Sequence, residues 1–166
     1  GKCMMIGYAA DQFGLCSQLP QMLSGVGLDT CIFGRGFGRS RDTQFYWESP
    51  DGSRILCEHM FAWYNNLQRL PKNAEASARL IRERGQMCAD RAVGSGCLLM
   101  NDVDHLEAQE DLTKIIKSVR PLLNEDETLC QDTMPEYMQR LKDEIAEKEL
   151  SLPTHTGEMR DNGQNN

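Results

Sequence analysis

Residues 3–36 read CMMIGYAADQFGLCSQLPQMLSGVGLDTCIFGRG and alternate between strand-like and helix-like patterns. The apolar run at 3–7 has the length of a buried strand, and TCIF at 30–33 predicts a second one. Between them, residues 17–26 have the apolar spacing of a helix, with Ser17 as a candidate N-cap. A helix between two strands is typical of a parallel βαβ unit.

The alternation continues along the chain with one interruption. Residues 44–60 contain two strand-like runs on either side of Ser-Pro-Asp-Gly-Ser, a turn signal that predicts an inserted β-hairpin. Apolar periodicity and capping residues predict helices at 73–92, 107–120 and 133–150 and strands at 96–100 and 128–131. The predicted fold class is therefore α/β, with a parallel sheet.

Length and charge narrow the class of protein. We expect residues 1–166 to form one partial α/β domain that ends in a polar tail at about 157–166, as a fragment of a longer chain. Acidic residues outnumber basic ones by 25 to 18, which argues against a nucleic-acid surface. No apolar run reaches the roughly 18 residues of a membrane span.

The cysteines carry information about the compartment. All seven are scattered without a Cys-x-x-Cys pair, which argues against a disulfide framework or a cysteine-rich zinc site. Most lie in apolar runs and are expected to be buried thiols of a reducing compartment. The N-terminus has no long apolar region typical of a signal peptide. These features predict a cytoplasmic protein.

Parallel βαβ folds bind ligands outside the carboxyl ends of their strands, so the residues after each strand are the candidates for a site. Asp11, between small residues, could be a nucleophile, a metal ligand or the N-cap of the next helix. Arg35, flanked by glycines, could contact a ligand or pair with an acid such as Asp11. Asp132 follows a later predicted strand.

A second acidic position follows the run GCLLM. Asp102, Asp104 and His105 could form a metal pair, a general acid beside a tuning charge, or a helix-capping loop. Carboxylates at one edge of a sheet suit a glycosidase and a metal hydrolase equally well. Aromatic residues that could stack on a sugar or fill the core are Trp47, Trp63 and Tyr64. His59 and His155 have no neighbour at metal-ligand spacing.

Several stretches together resemble glycoside hydrolase family 38, the α-mannosidases, and specifically its bacterial branch. They are GYAADQFGLCSQLPQML, DTCIFGRG, FYWESPDGSRIL, WYNN and CLLMNDVDHLEAQ, in the order of the family. They cover most of residues 5–110, and residues 111–166 fit more loosely. The resemblance implies part of a (β/α) barrel-like glycosidase domain.

The resemblance also implies roles for individual residues. Asp11 would be both the catalytic nucleophile and a zinc ligand, and Asp104 the general acid/base of retaining hydrolysis. Substrate-binding roles fall on Arg35, Phe13, Tyr64 and Asn66. The implied substrate is an α-mannoside oligosaccharide or mannosyl conjugate, and the full-length protein would also be able to form a homo-oligomer.

Two departures from the family pattern bear on activity. Asp102 stands where the family has Gly in its Asn-Gly-x-Asp stretch. The His-x-Asp strand motif that supplies other zinc ligands is absent, so the remaining ligands would lie outside this chain. We therefore expect the chain to bind zinc poorly and to be inactive alone. The alternative is a non-catalytic α/β carbohydrate-binding or structural module of the same family.

Overall fold

The computed structural model describes residues 1–37, 42–101 and 103–160, and in this part of the chain one sheet is packed between helices. The strands are β1 (Gly7–Ala9), β2 (Thr30–Phe33), β3 (Gln44–Glu48), β4 (Arg54–His59) and β5 (Thr154–Thr156). The helices are α1 (Leu19–Gly25), α2 (Ala74–Ala89), α3 (Leu112–Val119) and α4 (Met134–Glu147), with a 3₁₀ turn at Arg120–Leu122. None of the helices in the described segments is long and apolar enough to cross a membrane.

The sheet is mixed but mostly parallel, which confirms the predicted α/β class. Within the described residues its order is β1-β2-β4-β3-β5, with the β3–β4 pair antiparallel and the other three pairs parallel. Ala9, Phe33 and His59 lie in register at the carboxyl ends of β1, β2 and β4. These three ends therefore form one edge, where the candidate site begins. Among the described residues the sheet is open, with β1 and β5 at its sides.

Both faces of the central strands are buried. On β2, Phe33 faces a cluster with Phe45 and Trp47, onto which α1 packs through Leu19 and Leu23. Alternate residues of the strands face the other way and pack against α4. This second cluster contains Ile32, Leu56 and Met60 together with the α4 residues Tyr137, Met138 and Leu141. A strand buried on both faces reads as a continuous apolar run, which explains why TCIF is predicted correctly.

Side chains cap the N-termini of α2 and α4, and several helix bounds differ from the predicted ones. Thr133 and Glu136 form the predicted capping box at the start of α4. The N-cap of α1 is Gln18 instead of Ser17, whose carbonyl accepts a hydrogen bond from the Ser49 hydroxyl at 2.9 Å. Helix α3 begins only at Leu112, because the preceding Gln109 is engaged with the backbone of Leu70.

Three predicted strands differ from the structure. The first strand begins at Gly7, since residues 1–5 are exposed and precede its first partner on β2. Residues 96–100 and 128–131 form no strand. The sides of β4 are paired with β2 and β3, and the apolar run at 96–100 lies half-buried outside the sheet.

The C-terminal segment contributes to the sheet and to the core. β5 pairs in parallel with β3, which the sequence did not predict. Within the segment predicted as a polar tail, Met159 is buried and bridges to Leu15. Residues 161–166 of that prediction, and Asp102, lie outside the described residues.

Candidate active site

The chain turns away from the sheet immediately after β1, β2 and β4. Backbone hydrogen bonds continue one step beyond the strands, from the Gly34 amide to Ala9 oxygen at 3.2 Å and from the Met60 amide to Phe33 oxygen at 2.9 Å. A Cβ on Gly34 would overlap with the carbonyl oxygen of Ala10. Only glycine therefore permits this close approach, which brings the residues after β1 and β2 together.

Asp11 and Arg35 form an ion pair at this edge. The Nε of Arg35 donates a hydrogen bond to Oδ1 of Asp11. The Arg35 side chain is only 10% exposed, whereas that of Asp11 is 41% exposed. A buried guanidinium needs a paired anion, and Asp11 supplies it. The salt-bridge interpretation of Arg35 is therefore seen directly, and the Asp11 carboxyl group still reaches solvent.

Two aromatic rings contact the same guanidinium. The Arg35 Cζ lies 4.1 Å from the ring centroid of Phe13 and 3.9 Å from that of Trp63, distances at which a cation is attracted by the face of an aromatic ring. Phe13 is 73% exposed, so most of its ring remains open to a ligand. The predicted substrate-site residues Phe13 and Arg35 are thus brought together, with Trp63 as their neighbour.

Tyr64, the residue after Trp63, contacts the second candidate carboxylate, Asp104. The Trp63 and Tyr64 rings lie 5.3 Å apart, and the Tyr64 hydroxyl donates a 3.1 Å hydrogen bond to Oδ1 of Asp104. His105 Nε2 lies 3.1 Å from the other carboxylate oxygen, and the Asp104 side chain is 57% exposed. Both candidate carboxylates are therefore accessible to a ligand, and contacts between side chains connect them.

The side chain of Asn66 is hydrogen-bonded to the backbone of segments that lead to the site. Its side-chain nitrogen donates to the carbonyl oxygens of Phe61 at 3.0 Å and Leu98 at 3.1 Å, and its side-chain oxygen accepts from the Met100 amide at 2.7 Å. The side chain is buried and engaged with backbone. In this structure Asn66 fixes the segment that leads to Asp104, and a direct contact with substrate stays a prediction.

A buried carboxyl group under the site was not predicted as part of it. Glu58 on β4 accepts a 2.8 Å hydrogen bond from the Tyr137 hydroxyl, which also accepts from Gln44 at 3.2 Å. Burial raises the pKa of Glu58 to about 8, although the hydrogen bonds from Tyr137 and Gln44 oppose this. The sequence signal was a charged residue inside the apolar run of β4.

Two of the three histidines, His59 and His155, and also Asp132 lie outside the set of side chains that connects Asp11 with Asp104. His59 is buried against Phe33, with ring centroids 5.4 Å apart, and burial lowers its pKa to about 4, so it is neutral at pH 7. His155 packs against Phe37, 4.8 Å between centroids. Asp132 pairs with Arg140 at the start of α4.

The described residues lack the set of ligands that a catalytic zinc ion requires. Among the described residues, no group of three or more His, Cys, Asp or Glu side chains is placed to hold a metal ion. Catalytic zinc sites use about three protein ligands. Asp11 is the single implied ligand within the chain, and its Oδ1 is taken by Arg35. The described residues do not fit zinc by themselves, so no chemical step is derived through a metal.

Comparison with known proteins finds similarity to a family of glycosidases. Residues 1–158 match the family model described as the glycosyl hydrolases family 38 N-terminal domain. The chain is 29% identical over 172 residues to "Putative mannosylglycerate hydrolase" of Halalkalibacterium halodurans, covering 96% of this chain and 19% of that protein.

A solved structure shares the fold. The crystal structure of an α-mannosidase from Enterococcus faecalis V583 superimposes with a TM-score of 0.85 at 29% sequence identity. The similarity covers 96% of this chain and 18% of the Enterococcus chain. The chain thus spans about a fifth of the length of these relatives.

Proposed function

We propose that this chain supplies the carboxylate pair of an α-mannosidase active site, because it belongs to the glycosyl hydrolases family 38 as an N-terminal domain. The family assignment rests on a match over residues 1–158. The activity is proposed for the longer polypeptide, since relatives are about five times longer than this chain. The 166-residue chain alone is proposed to be inactive.

One observation carries this proposal. Asp11 and Asp104 come from loops more than 90 positions apart in sequence, yet a continuous series of contacts joins them. Asp11 pairs with Arg35, Arg35 contacts the Trp63 ring, and Tyr64 binds Asp104. Glycosidases use a pair of carboxyl groups that flank the scissile bond, and Asp11 and Asp104 are two solvent-accessible carboxylates that these contacts connect.

The proposed reaction is retaining hydrolysis in two steps. Asp11 attacks the anomeric carbon of an α-mannoside while Asp104 protonates the departing oxygen. Asp104 then takes a proton from the water that releases mannose from Asp11. Arg35 holds the Asp11 carboxylate through Oδ1, and Tyr64 orients the Asp104 carboxylate through its own Oδ1.

For the longer polypeptide we also propose a zinc site, a class of substrate and a cellular location. Asp11 would be one zinc ligand, with the others supplied by the remainder of the longer polypeptide. The exposed Phe13 ring beside Arg35 supports binding of a sugar ring. Because one relative carries the name of a mannosylglycerate hydrolase, mannosylglycerate is a candidate substrate beside α-mannoside oligosaccharides. Seven unpaired cysteines support a cytoplasmic location.

The test compares the full-length polypeptide with the 166-residue chain on p-nitrophenyl α-mannoside and on mannosylglycerate. Turnover is expected in the longer polypeptide, with kcat reduced by about 10²–10⁴-fold in both Asp11→Asn and Asp104→Asn. Asp143→Asn, on the outer face of α4, is the matched control and should retain activity. Full activity of Asp11→Asn would refute the proposal.

The alternative function is a non-catalytic carbohydrate-binding module. It is favoured by the incomplete set of metal donors among the described residues. It predicts that the full-length polypeptide binds mannose without turnover, and that Asp11→Asn changes affinity alone.

A further inference from the structure

The turn between β4 and the site has an unusual backbone. Ala62 and Trp63 have φ angles of 59° and 94°, in the left-handed region that side-chain-bearing residues rarely adopt. Each such residue is energetically unfavourable and persists only where the surrounding structure enforces it. Two in succession, one of them a tryptophan, point to a requirement for this local geometry.

The geometry brings consecutive side chains to two different carboxylates. The Trp63 ring lies against Arg35, the partner of Asp11. Tyr64, the next residue, donates its hydrogen bond to Asp104. Consecutive side chains of an extended segment point in opposite directions, so they would not both reach one site. The left-handed turn, closed by a hydrogen bond from the Trp63 amide to Met60 oxygen at 3.2 Å, permits it.

We propose that Trp63 is a positioning residue, whose ring holds the Arg35 guanidinium so that Nε faces Asp11. A free arginine side chain samples many rotamers, and an aromatic face packed against the guanidinium removes many of the alternatives. Phe13, which also contacts the guanidinium, is too exposed to confine it alone, whereas Trp63 is half-buried. This role deepens the proposed function and rests on it where catalysis is concerned.

The experiment reads the Arg35–Asp11 contact without requiring turnover. The ¹⁵N and ¹H shifts of the Arg35 Nε–H group are measured in the protein, and Asp11→Asn defines the position without the ion pair. Trp63→Leu should move the resonance at least halfway to that position. Trp63→Phe, which keeps an aromatic face, should move it less than a quarter of the way.

Two results would overturn the proposal. One is a Trp63→Leu resonance that stays at the wild-type position while the remaining amide spectrum is preserved. The other needs no variant and applies if Trp63→Leu fails to fold. It is the absence, in the wild-type protein, of nuclear Overhauser effects between the Trp63 indole protons and the Arg35 side chain.

Activity gives a separate arm in the full-length polypeptide. Trp63→Leu should lower kcat on p-nitrophenyl α-mannoside by about 10-fold or more with little change in KM, and Trp63→Phe should restore most of it. A change confined to KM would contradict a positioning role. If the resonance shifts as expected but no form hydrolyses mannosides, the proposed function fails and the positioning of Arg35 by Trp63 stands.

Discussion

The side-chain oxygen of Asn66 accepts a hydrogen bond from the Met100 amide at 2.7 Å. The same side chain donates to Phe61 and Leu98 oxygens, so it ties the turn that carries Trp63 to the segment that leads to Asp104. The buried side-chain amide of Asn66 therefore supplies two hydrogen bonds to the run at 96–100, and these bonds contribute both to stability and to the geometry of the site.

Replacement of Asn66 by Ala should lower the free energy of unfolding by about 2–4 kcal/mol, because buried backbone groups of three residues lose their partner. The measurement is urea denaturation followed by circular dichroism. Asn65→Ala is the matched control, since the Asn65 side-chain amide donates to the Gln68 side chain at 2.9 Å, and the change in its free energy of unfolding should stay below about 1 kcal/mol. Equal effects of the two variants would contradict this role.

Gly34→Ala should destabilise the protein by about 2–4 kcal/mol, because its Cβ would overlap with the Ala10 carbonyl oxygen beside Asp11. Gly85→Ala tests the same substitution inside α2, where nothing lies within 4 Å of the added carbon. There alanine should stabilise by about 0.5–1 kcal/mol through helix propensity. Thermal unfolding of both variants should show shifts of opposite sign, and a neutral Gly34→Ala would refute the close approach.

Glu58 should make stability fall as pH rises between 6.5 and 8. Burial raises its pKa from 4.5 to about 8, so the folded protein retains a proton that the unfolded chain has released. The expected slope is up to about 1.4 kcal/mol per pH unit, and it should level off above the folded pKa. Below pH 6.5, His59, with its pKa lowered to about 4, acts in the opposite direction.

Glu58→Gln keeps the shape of the side chain without the ionisable group and should flatten this slope. The exposed Glu110→Gln is the matched control and should leave the slope as in wild type. The measurement is the free energy of unfolding from urea titrations at pH 6.5, 7.2 and 8. An unchanged slope in Glu58→Gln would show that another group is responsible.

The local part of the fold could be predicted from the sequence. The unit of β1, α1 and β2 and the capping box at Thr133 depend on residues close in sequence, and their signals are strong. The run at 96–100 is as apolar as a buried strand, but pairing also requires that the run lies beside the edge of a strand. Its backbone is bonded instead to the side chain of Asn66, a long-range contact that no local pattern shows.

The sequence likewise identifies some residues of the candidate site and does not show others. The sequence could identify Asp11, Arg35 and Asp104 as candidate site residues, because each of them follows an apolar run that has the length of a strand. The Glu58–Tyr137 contact joins residues 79 positions apart, and the left-handed φ of Trp63 arises in a segment without glycine. Long-range contacts and enforced backbone strain leave little trace in a single sequence.

Tyr64→Phe in the full-length polypeptide should reduce kcat by about 10–100-fold, because the Tyr64 hydroxyl stabilises the carboxylate that forms when Asp104 gives its proton to the departing oxygen. A hydrogen bond to a charged group contributes about 1.5–3 kcal/mol. Tyr46→Phe removes a hydroxyl from β3, where the ring lies 4.3 Å from the Arg54 guanidinium, and should leave kcat unchanged. The assay is hydrolysis of p-nitrophenyl α-mannoside at saturating substrate. An effect on KM alone would assign Tyr64 to sugar binding instead.

The measurement that tests the central proposal most directly is azide rescue, with the configuration of the product read by ¹H NMR. In Asp104→Ala of the full-length polypeptide, azide should replace water at the mannosyl-enzyme and give α-mannosyl azide from an activated aryl α-mannoside. In Asp11→Ala, azide should attack the substrate directly and give β-mannosyl azide. The same configuration from both variants, or the reverse assignment, would contradict the roles proposed for Asp11 and Asp104.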